Sequence, residues 1–373
     1  MNRYLIIPLA SLLLTCCSAD QVEQQAGDTA DTVPQEVNYT VSMDITRAPI
    51  ADTEEFIQEG RQFRVWAFMD NGLNNGGDCN VAMISDFVSD PLQNVLVTYS
   101  QARNSWETSK TYYWPRPKYN VNFYAVYPEN AGYNAETKAL NYSSAVGLAQ
   151  ADVMYATYSG KRTGTKDEKK LGKTVPLVFH HPFSLVQFQA KKSNELTVTI
   201  NSLEIHNVYS TGTFTLPTPV LNSTDVQLGS WDNLGGQITY SVSLSSPISL
   251  TGELQSLDNN VLVVIPQTNA AWDVTHATNK VITNNDGASG PKGSYLKIGC
   301  SVVFGGTNYA DAGFIYVPFA LNWEAGKRYI YKLGFGSGYN HQGLKTIQEI
   351  TLSVTVTDWV NGGSETSDGT IFI

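Results

Sequence analysis

Residues 36–46 read EVNYTVSMDIT. Val37, Tyr39, Val41, Met43 and Ile45 alternate with Asn38, Thr40, Ser42 and Asp44. An extended chain turns successive side chains to opposite faces, so a period of two places five apolar groups on one side of a strand and polar groups on the other. The same period recurs along the chain, between clusters of Gly, Asn, Asp and Pro. It predicts further strands over 62–69, 95–99, 121–127, 177–190, 196–208, 237–244, 261–265, 295–304, 329–335 and 347–359. Residues 145–155 are the one stretch read as room for a short helix. Many short strands without strand–helix alternation point to an all-β chain built of β-sandwiches.

Composition agrees with that pattern. The 373 residues are 42% apolar and only 16% charged, while Phe, Trp and Tyr reach 11%, which suits pleated surfaces and suits long solvated helices poorly. The length fits two domains, and a change of pattern near His180-His181-Pro182 places their boundary, giving units 36–181 and 182–373. The net charge of −10 is spread out, so no basic stripe offers itself to nucleic acid. The basic cluster Lys161, Arg162, Lys166, Lys169, Lys170 and Lys173, broken by Asp167 and Glu168, reads as a solvated loop between strands.

The first residues read as a targeting segment. Arg3 is its basic region, 5–14 its apolar run, and Leu13-Leu14-Thr15-Cys16-Cys17-Ser18 has the shape of a lipobox. The run is too short to span a bilayer. Cys17 is the expected lipidation site, because it sets Leu14 three residues ahead and the small Cys16 immediately ahead; the alternative is an ordinary cleaved signal without lipid. Residues 1–17 are then a lipoprotein signal peptide up to Cys16 with lipid on Cys17, and 18–35 a polar tether. Cys79 and Cys300 remain, far apart in sequence, and read as isolated thiols rather than a disulfide.

Several segments carry a resemblance. TYYWPRPKYNVNFYAVYP (111–128) sets an aromatic-aromatic-Trp-Pro element before a strand that ends in Ala-x-Tyr-Pro. ADVMYA (151–156), VPLVFHHPF (175–183), VLVVIPQ (261–267) and WEAGKRYIY (323–331) follow in order. Together they resemble the fimbrillins, pilus subunits of Bacteroidetes. The resemblance implies two tandem transthyretin-like, Greek-key β-sandwiches after a lipoprotein signal, a place on the outer membrane or in a surface fimbrium, and cleavage by a trypsin-like protease after an Arg near the start of the first domain. Arg47-Ala48 stands where that cut is expected. Loss of the strand ending there would bare a groove that accepts a strand from another pilus subunit, the donor needing a similar apolar row over roughly 30 Å. The other reading of Arg47 is a plain surface residue. The tail Thr370-Ile371-Phe372-Ile373 is short for a donor, which favours a tip position; its alternative is pairing with the protein's own sheet. A host or bacterial surface receptor or glycan completes the expected partners, with the membrane reached only through the lipid.

The same residues also have plainer readings. Trp114 and Trp323 are expected to pack at sandwich edges, and Gly326 to turn the chain ahead of a strand. A sugar-stacking platform of Trp106, Tyr112, Tyr113 and Trp114 would suit an adhesin; the other functional reading is a monomeric outer-membrane lipoprotein that binds glycans. Catalytic signatures are missing from the sequence. Gly172-Lys173-Thr174 ends like a phosphate loop, but Asp167 stands where its first Gly belongs. His180 and His181, adjacent on a strand, would face opposite ways, and 70–78 reads as an Asn/Gly turn rather than a calcium loop. No enzyme activity, cofactor or metal is expected.

Overall fold

The protein is described in a computed structural model over residues 34–43, 56–70, 81–85, 90–116, 119–143, 153–162, 173–223, 225–244, 247–257, 261–272, 293–308, 310, 313–336, 350–358 and 369–371. The elements along these residues are twenty-four strands. They are β1 (Val37–Met43), β2 (Gln62–Asp70), β3 (Val81–Ala82), β4 (Val95–Ser100), β5 (Ser105–Thr108), β6 (Asn120–Tyr127), β7 (Tyr133–Asn134), β8 (Ala139–Ser143), β9 (Met154–Lys161), β10 (Lys173–Phe179), β11 (Ser184–Lys192) and β12 (Thr197–Thr215). There follow β13 (Ser230–Ser241), β14 (Ile248–Ser249), β15 (Gln255–Ser256), β16 (Leu262–Val264), β17 (Thr268–Asn269), β18 (Tyr295–Phe304), β19 (Thr307–Asn308), β20 (Phe314–Pro318), β21 (Leu321–Asn322), β22 (Lys327–Phe335), β23 (Ile350–Asp358) and β24 (Gly369–Ile371).

The first half forms one ladder in the order β10-β1-β5-β4-β2-β6-β9, with β3 on β2. Its ends meet: Tyr155 in β9 and His180, just past β10, exchange backbone hydrogen bonds of 3.0 and 2.8 Å. The sheet thus folds on itself around Phe56, Phe63, Val97, Trp114, Phe123, Leu177 and Phe179, all fully buried. The second half stacks two sheets. One has the order β15-β11-β22-β23-β24 with β16 on β11; the other runs β19-β18-β12-β8-β7 with β13, β14 and β20 alongside. Val186 and Phe188 from the first meet Val198, Ile200, Leu296 and Ile298 from the second in one apolar core.

The β7 and β8 hairpin, earlier in the chain than residue 181, pairs with β12 and so joins a sheet otherwise built from the second half. A third cluster lies where the halves touch. Trp66, Phe68 and Tyr124 pack there with Tyr142, Phe183, Leu185, Phe214 and Ile265.

Most predicted strands are present, and 295–304 coincides with β18. Residues 177–190 are two strands, because Pro182 cannot donate to a ladder and the chain turns between Phe179 and Ser184. Met154 and Tyr155, read as the end of a helix, lie in β9 opposite Tyr127 and Val126; cross-strand pairing overrides local preference. Residues 144–152 lie outside the described residues. The solvated reading of 161–173 fails at Arg162, which is only 1% exposed. Its stem continues the inward face of β9, where a long aliphatic side chain can bury apolar surface.

Trp323 is buried and donates its indole N–H to the Tyr331 hydroxyl at 2.9 Å. Gly326, at φ 70°, turns the chain into β22, and its amide donates to Phe183 O at 2.8 Å. Cys300 is a free thiol in the second core, pushed up to about 12 by burial. Cys79 and residues 71–80 lie outside the described residues.

Candidate functional site at the first strand

The alternation read from residues 36–46 is realised in β1. Val37, Tyr39 and Met43 are buried, Val41 is half-buried, and Asn38, Thr40 and Ser42 are exposed. One neighbour is β10, parallel to β1 over all seven residues, from Val37 opposite Lys173 to Met43 opposite Phe179. Parallel pairing between segments this far apart in sequence demands tertiary contacts to hold it.

The backbone of β10 is polarised toward β1. The Lys173 amide donates to Glu36 O at 2.8 Å. Because donors alternate along a strand, the amides of Val175, Leu177 and Phe179 face the same way, and residue 176 faces away. Residue 176 is Pro, opposite Thr40 and exposed. The missing donor therefore lies on the edge turned away from β1, where it discourages further pairing. β1 occupies the side of β10 that carries these amides, while the opposite side meets β9 through the Tyr155–His180 bridge.

The other flank is looser. Within β1 the antiparallel pairing to β5 is the single register Tyr39 opposite Trp106. Just before it, Val37 N donates to Tyr112 O and Trp114 N to Gln35 O, each at 2.9 Å. Glu36 and Tyr113 form an isolated bridge. The four aromatics read as a possible sugar platform are thus gathered around the first strand. Trp114 is fully buried and Trp106 7% exposed, so their faces are spent on the core. Trp114 stands edge-on to Phe123 at 5.3 Å and donates its indole N–H to Lys173 O at 3.2 Å. The Lys173 ammonium sits 5.0 Å from the Trp114 ring and donates to Lys161 O, and burial lowers its pKa.

Tyr39 is the polar exception on the inward face. Its ring meets Phe63 edge-on at 6.4 Å. The hydroxyl is buried with no hydrogen-bond partner among the described residues. Burial, and secondarily Tyr112, raise its pKa far above the usual tyrosine range.

Among the described residues no three His, Cys, Asp or Glu side chains gather as metal ligands would. His181 is buried while His180 is partly exposed, the opposed facing expected of neighbours on an extended chain. Cys17, Arg47 and Ala48 lie outside the described residues; β1 ends at Met43, four residues short of Arg47.

A family profile described as fimbrillin-like matches residues 46–359. The chain belongs to the fimbrillin-like family. No curated protein matches this fimbrillin-like chain. Its fold is similar to that of a fimbrial protein from Bacteroides vulgatus, with 14% identity, a TM-score of 0.52, and coverage of 87% of this chain and 100% of that one. A fimbrial assembly protein from Parabacteroides distasonis aligns at 9% identity with a TM-score of 0.40, over 91% of this chain and 99% of the other. Of the motifs that carried the resemblance, residues 112–114 and 175–179 lie beside β1 in this fimbrillin-like fold, while 261–267 and 323–331 belong to the second half. Two features of the site had no sequence signal: the pairing of β1 with β10, and the direction in which Pro176 faces.

Proposed function

We propose that this chain is a structural subunit or tip adhesin of a bacterial surface pilus, exported as a lipoprotein on Cys17, cut between Arg47 and Ala48, and assembled by strand exchange at β1. The observation that carries the proposal is the seven-residue ladder of β1 on β10. It is the hold of the first described strand on the side of β10 that carries the amides of Lys173, Val175, Leu177 and Phe179. Removing β1 would bare the donors of Val175, Leu177 and Phe179 together with the apolar floor around Phe63 and Phe179, which a second extended segment can cover. Fimbrillin-like membership supports a structural role at the cell surface over catalysis. The burial of Trp106 and Trp114 removes two faces of the sugar-stacking platform read from the four aromatics.

The test is to treat purified protein with a trypsin-like protease. A new N-terminus at Ala48 and a heat-stable ladder of oligomers on a denaturing gel are expected, self-made or on adding a donor subunit. Cleavage at Arg47 with β1 retained, and no oligomers with any subunit, would remove the proposal.

A further inference from the structure

Within β1, Tyr39 is the residue paired on both flanks, to Val175 of β10 and to Trp106 of β5. With its backbone fixed from two sides and its ring against Phe63, the side chain has little freedom to carry its hydroxyl toward a partner. That hydroxyl is buried and unpartnered among the described residues, while Val37, Val41 and Met43 put no polar atom on the inward face. A buried hydroxyl without a partner weakens the state that contains it.

We infer that β1 is a mismatched occupant of its groove, and that the segment which replaces it, an extended strand of a second polypeptide, presents a phenyl or aliphatic side chain at the Tyr39 register. This rests on the strand-exchange reading above. The register sets the rest of the replacement's chemistry: apolar groups opposite Lys173, Val175, Leu177 and Phe179, with polar groups between them. The position between Val175 and Trp106 is the most selective. A hydroxyl-bearing side chain there makes a strand easy to displace, and a purely apolar one makes it stay. The mismatch gives exchange a direction, from the tyrosine-bearing resident to the apolar incomer.

The test uses full-length protein cleaved after Arg47 and freed of its first strand, with synthetic peptides of residues 36–46 carrying Tyr, Phe or Ala at position 39. The Phe peptide is expected to bind about tenfold tighter than the Tyr peptide, and Ala more weakly than either, since relieving an unpaired hydroxyl is worth about a factor of ten. Equal or tighter binding of the Tyr peptide overturns the inference and leaves strand exchange standing. Failure of all three peptides to bind overturns both. In uncut protein, Tyr39→Phe is expected to raise the melting midpoint by about 2 °C; a fall would show that the hydroxyl is satisfied and would also overturn the inference.

Discussion

Trp114 and Cys17 carry the sharpest consequences at the scale of single residues. Trp114 is fully buried at the closed end of the first core, held by Phe123, Lys173 and the Gln35 carbonyl. Trp114→Ala is expected to cost about 3–5 kcal/mol, because a cavity of that size cannot collapse in a folded sheet. Urea unfolding would measure it, and a loss under about 1 kcal/mol would show that the ring does not hold the core. Cys17→Ser is expected to abolish metabolic lipid labelling, while Cys16→Ser leaves it nearly intact; the opposite result would move the anchor to Cys16. The two predictions differ in legibility. The stretch 13–18 that resembles a lipobox is a local pattern, whereas the contact of Trp114 with Lys173 depends on β10, which sequence alone does not bring to it.

At the scale of elements, the first and last strands differ in their hold. β1 pairs over seven residues with β10, and β24 pairs over three with β23, Leu352 opposite Ile371. Limited trypsinolysis is expected to cut at Arg47 before other basic sites. Residues 48–373 then keep 22 of the 24 basic and 28 of the 34 acidic residues, moving the net charge from −10 to −6. Mass spectrometry and native electrophoresis would check both, and an intact Arg47-Ala48 bond in mature protein from cells would count against cleavage as the activating step. For the tail, pairing of Gly369–Ile371 with β23 matches the plainer of the two expectations, a strand kept by its own sheet. Deleting residues 369–373 is therefore expected to leave the assembly behaviour of the cleaved protein unchanged. If cleaved protein polymerises alone and the deletion stops it, the tail is a working donor and a tip position is excluded.

At the scale of the molecule, buried ionisable groups set the response to alkali. Cys300 is raised by burial from its usual 9.0 to about 12, and Tyr240, Tyr295 and Tyr329 from 10.0 to about 12. The folded state therefore holds these protons to higher pH than the unfolded chain does. Below about pH 8 both states are protonated and stability is flat; as pH rises toward 12 the unfolded state ionises first and is favoured. Urea midpoints at pH 8, 10 and 11 should fall in that order, and a constant midpoint would mean that these groups reach solvent in the fold. The hairpin of β7 and β8, paired with β12 beneath a shared cluster around Phe183, ties the two halves together in the same structure.

By itself the sequence determined the all-β class, the faces of β1, the span of β18, the turn at Gly326 and the family motifs, because each is set by neighbours within a few residues through strand period, turn chemistry or local pattern. Only the tertiary structure decided that β1 lies parallel to β10, that Trp106 and Trp114 are the aromatics beside β1, that Arg162 is buried, and that residues 133–143 cross to the other half. Those outcomes depend on pairing between segments distant in the chain, where apolar faces of equal period compete for one another. The choice among them is made by how the whole core packs, and no local stretch records it.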